Sequence, residues 1–299
     1  MPKSYTVDDD YNESRLDKWF KQKIINLPHS LIEKIIRQNK IKVNKKKVKS
    51  SYRLQKGDLI DIFDISKFKA IDIKKKIKYL PKKKEIGKYD DYIIEDNENF
   101  IVINKPSGIP VQSGTKSFKN ITDILKNTKY FENTKPYIVH RIDKETSGIL
   151  IIAKNRKFAQ LFTSLFRIRK IHKTYLAIVY GKVSKSIKSM KDDLVNYENN
   201  KKVIQQATSN LKILKSNEGY SYLELNPITG RKHQLRKQLL NIGNPIIGDD
   251  KYFLNNTKRI KTKNLLLHAY KIKFMINNVQ YNFKAKYNYF FENFLKQNF

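Results

Sequence analysis

His140-Arg141-Ile142-Asp143-Lys144-Glu145-Thr146-Ser147-Gly148 runs directly into Ile149-Leu150-Ile151-Ile152-Ala153-Lys154. A polar cluster thus meets a run apolar enough for a strand buried on both faces. His140, Arg141 and Asp143 then sit at the rim of a core. A carboxylate in that position is costly unless it is paired or hydrogen-bonded. Read alone, the stretch is structural, with Asp143 pairing with Arg141 or capping a turn. The rest of the chain changes that reading.

The 299 residues are 39% hydrophobic, enough for one large domain or two smaller ones. Lys and Arg number 62 against 28 Asp and Glu, a net charge of +34. Such a field draws polyanions, nucleic acid ahead of anionic membrane. Part of the Lys excess accompanies the richness in Asn, Ile and Tyr that AT-rich codons favour. No apolar run approaches the ~20 residues that span a bilayer. The start, MPKSYTVDDDYNESR, lacks the apolar core of a secretory signal, so a cytoplasmic location without membrane association is expected. With no cysteine, disulfides, thiolate metal sites and thiol catalysis are excluded.

Residues 13–65 read as a small αα-β module. A helix is expected to open at Ser14, capped with Asp17. A second is expected behind a Ser30/Glu33 capping box, with Leu31, Ile32, Ile35 and Ile36 on one face. Ile41 to Val43 and Leu59 to Phe63 are strands around a turn at Asn44-Lys45-Lys46. Lys34, Arg37, Lys45, Lys46, Lys47 and Lys49 make this unit strongly basic, as suits a phosphate-tracking surface. Residues 66–88 are Lys-dense and read as a linker.

The remainder, residues 89–299, alternates short strands with a few helices. Ile93 to Asp96 and Phe100 to Ile103 read as a hairpin, and Phe158, Leu161, Phe162, Leu165 and Phe166 recur at helical spacing. Residues 172–181 and 220–225 are strands, 184–206 a polar excursion, and 231–240 a helix. The expectation is an α+β domain around a mixed, mostly antiparallel sheet.

Four of the five histidines, His140, His172, His233 and His268, lie at strand edges or on the Arg-rich helix, without HxxxH or HxH spacing. No metal site is expected. Neither a GxxxxGK[ST] loop nor a GxGxxG is present, and Ser113 and Ser147 lack an elbow motif, so no nucleotide cofactor or acyl chemistry is indicated. What remains is one carboxylate among cations, with a polyanion-binding surface.

At that point HRIDKETSG resembles the HR(L/I)DxxTSG signature of the Rlu-type RNA pseudouridine synthases. Asn104 to Gly108 (NKPSG), HKTYLAIVYG, PITGRKHQLR, GNPIIGDDKY and LLLHA resemble further motifs of that family, in order. The segment VNKKKVK…LQKGD resembles the ribosomal S-four type RNA-binding domain. The ensemble is most similar to the branch acting on large-subunit ribosomal RNA. One departure stands out: Lys237-Gln238 replaces the small apolar residue and His that usually follow the motif arginine.

The resemblance implies that uridine becomes pseudouridine, without metal or cofactor. It implies a pseudouridine-synthase-type catalytic domain, with ribosomal RNA or a pre-ribosomal particle as partner to a monomer. Asp143 takes the essential role, attacking covalently or removing a ribose proton. Arg236 pairs with it, Arg231 being the alternative. Tyr175 stacks on the uracil. Arg141 fills the gap left by the flipped nucleotide, which must leave its stack to be reached. Lys105 and Arg231 are candidate RNA phosphate contacts or supports behind the site, and Arg37, Lys45, Lys46 and Lys47 are candidate RNA contacts. Glu145 is placed on the polar flank, which leaves Asp143 without the acidic partner of a glycoside hydrolase. A non-catalytic RNA-binding or assembly protein is the other reading.

Overall fold

A computed structural model describes residues 2–66, 68, 79–81, 86, 87, 89–113, 119–198, 201–255, 260, 262 and 264–299. The chain divides into two units, Met1–Ile77 and Lys78–Phe299. The expected linker, 66–88, lies almost entirely outside the described residues.

The first unit joins β1 (Lys3–Thr6), β2 (Ile41–Val43) and β3 (Leu59–Ile62) in the order β1-β3-β2. It therefore takes in residues before the expected boundary at residue 13. Helices α1 (Leu16–Lys23) and α2 (His29–Arg37) cover it. Trp19, Phe20, Ile32, Ile35, Ile36, Leu54 and Ile60 form the core. Trp19 is 2% exposed and meets the Tyr5 ring edge-on at 5.9 Å.

Neither expected cap forms. The residues preceding the two helices are Arg15 and Pro28, without side-chain capping bonds. Asp17 is claimed instead by Arg15 and His29, and Glu33 accepts from Ser50. These charge and tertiary partners outcompete the local bonds.

Asn44 and Lys45 both adopt left-handed backbone (φ 49° and 63°) at the β2 turn. The turn holds Lys45, Lys46 and Lys47 in solvent, and Arg37 is exposed on α2.

The second unit is built on a ten-stranded sheet. Its strands are β4 (Ile93–Asp96), β5 (Phe100–Lys105), β6 (Tyr137–Ile138), β7 (Ser147–Ala153), β8 (His172–Tyr180), β9 (Ser189–Glu198), β10 (Lys201–Ser216), β11 (Tyr220–Pro227), β12 (Leu267–Ile276) and β13 (Val279–Lys284). The order is β4-β5-β7-β12-β8-β11-β10-β9, with β6 on β7 and β13 on β12. Only β7 and β12 run parallel among the described pairs, so the sheet is mostly antiparallel as expected. Its helices are α3 (Ile121–Leu125), α4 (Arg156–Arg167), α5 (Gln234–Asn241) and α6 (Tyr289–Asn298).

Strand β7 is buried from end to end, as its composition requires. Leu150 and Ile152 pack with α3, and Ile149, Ile151 and Ala153 pack towards Phe162 of α4. Each of the buried Leu and Ile side chains contributes about 1.5–3 kcal/mol.

Gly148 permits the close crossing at the start of the strand. It has φ +105°, and an added Cβ would lie 2.3 Å from the Ala269 carbonyl oxygen. The buried His268 secures the same crossing. Its Nδ1 accepts from Ser147 Oγ at 2.9 Å, and its Nε2 faces the Ala285 carbonyl at 3.4 Å.

The polar segment 184–206 is largely a two-stranded extension of the sheet edge, β9 with the start of β10. The two residues that depart from the family pattern anchor it. Buried Gln238 donates to the Met190 and Ala207 carbonyls and to Asp192, and accepts from Ser209. Lys237 donates to the Val195 carbonyl.

Candidate active site

Asp143 stands on the loop between β6 and β7. The Asn104–Gly108 loop clamps that segment. Gly108 N donates to the Lys144 carbonyl at 2.9 Å, and Ser107 Oγ to the Glu145 carbonyl.

Lys105, expected at the RNA, is instead fully buried. Its Nζ donates to the carbonyls of Pro106, Ile109 and Lys144 at 2.8, 2.9 and 3.0 Å. Burial pulls the ammonium down to about 7, opposed by Glu145 and Asp143. Three acceptors match the three N–H bonds of the protonated form. The loop that carries Lys105 folds back over the side chain and, with Lys144, supplies three carbonyls, which makes Lys105 a support of the site rather than a phosphate contact.

Arg236 enters from α5 and is 4% exposed. Its Nη1 lies 3.4 Å from Asp143 Oδ2, the contact the motif match implied. Its stronger partner is Asp249, whose oxygens accept from Nε and Nη2, each at 2.7 Å. Burial alone would lower the guanidinium. The Asp249 hydrogen bonds, with the charges of Asp249, Asp143 and Glu145, reverse this and hold it raised.

Glu145, expected away from the site, brings Oε2 within 3.8 Å of the same Nη1. Asp249 lies in the GNPIIGDDKY motif, but 13 residues and a loop separate it from Arg236, so the pairing shows only in the fold.

The helix carrying Arg236 begins three residues later than expected. His233 is left-handed (φ 54°), and Gln234 accepts from Arg231 N, so residues 231–233 turn before the helix starts. That turn brings His233 Nε2 to 3.7 Å from Asp143 Oδ1, while Nδ1 meets Tyr252 Oη at 2.8 Å. His233 had no assigned role from sequence.

Tyr175 of β8 lines the same cleft as Asp143. Burial, with a smaller push from the Asp143 carboxylate, raises its phenol, so it is protonated at neutral pH. His140 is structural: Nε2 accepts from Ile151 N at 2.8 Å, and the ring stacks on Phe166.

The cleft holds about 490 Å³, within the range of sites for small ligands. Arg141 is exposed at its edge, and Arg231 also lines it, with its Nε donating to the Gln206 carbonyl. Arg167, Arg169 and Lys173 add a cationic wall that sequence reading missed. Arg167 ends α4, Arg169 lies in the turn beyond it and Lys173 begins β8, so only the folded sheet brings the three together. Among the described residues no three His, Asp or Glu side chains group as metal ligands would, and no helix is long and apolar enough to cross a membrane.

An ion-paired carboxylate and a half-buried tyrosine at a cation-rimmed cleft, on a mostly antiparallel sheet, suit an enzyme that acts on a polyanion. Residues 99–241 match the RNA pseudouridylate synthase family, and residues 14–60 match the S4 domain. The chain is 36% identical to ribosomal large subunit pseudouridine synthase C of Rickettsia felis, over 86% of this chain and 87% of that one. It is 30% identical to the protein of that name from Vibrio parahaemolyticus, over 90% and 87%. Human RNA pseudouridylate synthase domain containing 4 superposes with a TM-score of 0.61 at 27% identity, covering 71% of this chain and 94% of that one. This chain belongs to the RNA pseudouridylate synthase family, and it is an RNA pseudouridine synthase.

Proposed function

We propose that this enzyme converts particular uridines of large-subunit (23S) ribosomal RNA to pseudouridine, acting as a cytoplasmic monomer on the RNA or a pre-ribosomal particle. The observation that carries the reading is Asp143, held beside Arg236 and His233 in a cleft shared with Tyr175. The names of the relatives support the substrate class.

The target nucleotide leaves its stack and enters the cleft, with Arg141 taking its place. The bond from ribose C1′ to uracil N1 breaks, the base turns, and C1′ joins C5. The C5 proton departs and N1 gains one, so the conversion is an isomerisation. Asp143 initiates it by attacking C1′ or by taking a ribose proton. Tyr175 packs against the uracil as a neutral phenol, and Arg236 fixes the carboxylate. Arg231 contacts phosphate at the mouth, and Arg37, Lys45, Lys46 and Lys47 hold RNA on the 13–65 module, tethered through 66–88 to the catalytic domain, 89–299.

Asp143→Asn keeps size and polarity while removing the charge. Pseudouridine formation on ribosomal RNA is expected to stop, with RNA affinity close to wild type. An Asp143→Asn protein converting uridine at the wild-type rate would remove the basis for this mechanism.

A further inference from the structure

Asp143 has two carboxylate oxygens, and different donors face them. Arg236 Nη1 addresses Oδ2 at 3.4 Å, and His233 Nε2 addresses Oδ1 at 3.7 Å. His233 reaches this position through a left-handed backbone, uncommon outside glycine although His adopts it more readily than most side chains. Its other nitrogen is 2.8 Å from Tyr252 Oη, and the rings meet edge-on at 76°.

Tyr252 is itself fixed. Asp249 Oδ1 accepts from the backbone N–H groups of Lys251 and Tyr252 while also gripping Arg236. The Arg236 guanidinium lies 5.1 Å from the centre of the Tyr252 ring. One short turn, 249–252, therefore sets both donors that face the reacting carboxylate.

We propose that Tyr252 and His233 form a positioning pair, in which the Tyr252 hydroxyl donates to His233 Nδ1 and so directs a protonated, neutral Nε2 at Asp143 Oδ1. The inference rests on reading Asp143 as the reacting carboxylate. The opposite tautomer would aim a lone pair at an anion. With Nε2–H present, the anion and the donor attract, and Tyr252 must be the donor at the far side.

The gap of 3.7 Å exceeds hydrogen-bond range, and the proposed contact tightens when RNA fills the cleft. His233 also remains uncharged. Burial lowers it, Asp143 opposes this, and Arg236, Lys251 and Lys232 add to the lowering. Other charged groups nearby are Glu145, on the Arg236 guanidinium, Asp249 behind that guanidinium, and Arg231, which lines the same cleft. A neutral donor orients Asp143 without cancelling the charge that its chemistry needs.

The test compares His233→Ala, His233→Gln, His233→Asn and Tyr252→Phe for pseudouridine formation at saturating RNA across pH 5–9. Loss of a bond to a charged group predicts a fall in kcat of about tenfold or more for His233→Ala. The acid limb of its profile should move to higher pH, because the anion loses a donor. Gln places an amide N–H where Nε2 was, and should recover most of the rate and the acid limb. The shorter Asn should not. Tyr252→Phe should lower kcat less than His233→Ala, by freeing the tautomer.

Wild-type kcat and acid limb in His233→Ala overturn the proposal. So do equal losses in the Gln and Asn variants with an unmoved acid limb, which would mark a packing role. Unchanged kcat in Tyr252→Phe overturns the part given to Tyr252. If wild type itself forms no pseudouridine, the functional reading fails instead.

Discussion

Asp249 holds Arg236 more tightly than Asp143 does: two hydrogen bonds of 2.7 Å against one contact of 3.4 Å. The guanidinium is thus pinned from behind and offers Asp143 a single N–H. Asp249→Ala should leave a buried cation with its main partner gone, costing about 3–5 kcal/mol of stability. The released guanidinium should turn onto Asp143, and kcat should fall at least about tenfold. Denaturation and single-turnover kinetics measure the two effects separately. Full activity in Asp249→Ala would contradict this.

Two histidines, His268 buried and His140 half-buried, make the fold sensitive to acid. Burial holds His268 down to about 4 and His140 down to about 3. The His140 geometry requires the neutral ring, since Nε2 accepts from a backbone N–H, and burial of His268 favours its neutral ring. Below an unfolded value of about 6.5 the unfolded chain binds more protons than the native one, so stability falls with pH. His268 alone should forfeit about 3 kcal/mol between pH 6.5 and 4. Urea titrations at several pH values test this, and His268→Gln should show a shallower acid slope.

Gly148→Ala places a methyl group 2.3 Å from the Ala269 carbonyl oxygen, at φ +105°. Backbone meets backbone there, so no side chain can swing aside. The substitution should cost more than about 2 kcal/mol through strain and a displaced strand. The displacement lies five residues from Asp143, so activity should fall with thermal stability. A wild-type melting temperature would show that the crossing is looser than described.

The exposed cations of the first unit act through charge. Replacing Lys45, Lys46 and Lys47 together by Ala should raise KM for ribosomal RNA far more than it lowers kcat. It should also flatten the dependence of log Kd on log salt by about 2–3, for three lost phosphate contacts. An unchanged salt slope would place the RNA elsewhere.

The residues differ in how far sequence disclosed them. Ile149 to Ala153 could only be a strand buried on both faces, and it is. Asp143, Tyr175 and Arg236 could be grouped because separate motifs occur in a fixed order, and one cleft lines all three. Lys105 could not be placed, because its three acceptors are carbonyls of loops up to 39 residues away. Asp17 and Glu33 looked like helix caps because sequence shows local neighbours and hides Arg15, His29 and Ser50 as competitors. The 184–206 segment read as an excursion because a ribbon at a sheet edge needs little apolar alternation. Its docking rests on Gln238 and Lys237, whose chemistry becomes meaningful only once β9 and β10 lie beside them.

The chain has one tryptophan, Trp19, and it lies sealed in the core of the first unit. Light absorbed near 295 nm therefore interrogates that unit alone, whatever the chain's 18 tyrosines are doing. A red shift of the emission reports its core admitting water, while far-ultraviolet dichroism follows the large sheet. The two units thus carry separate optical labels without any dye or substitution.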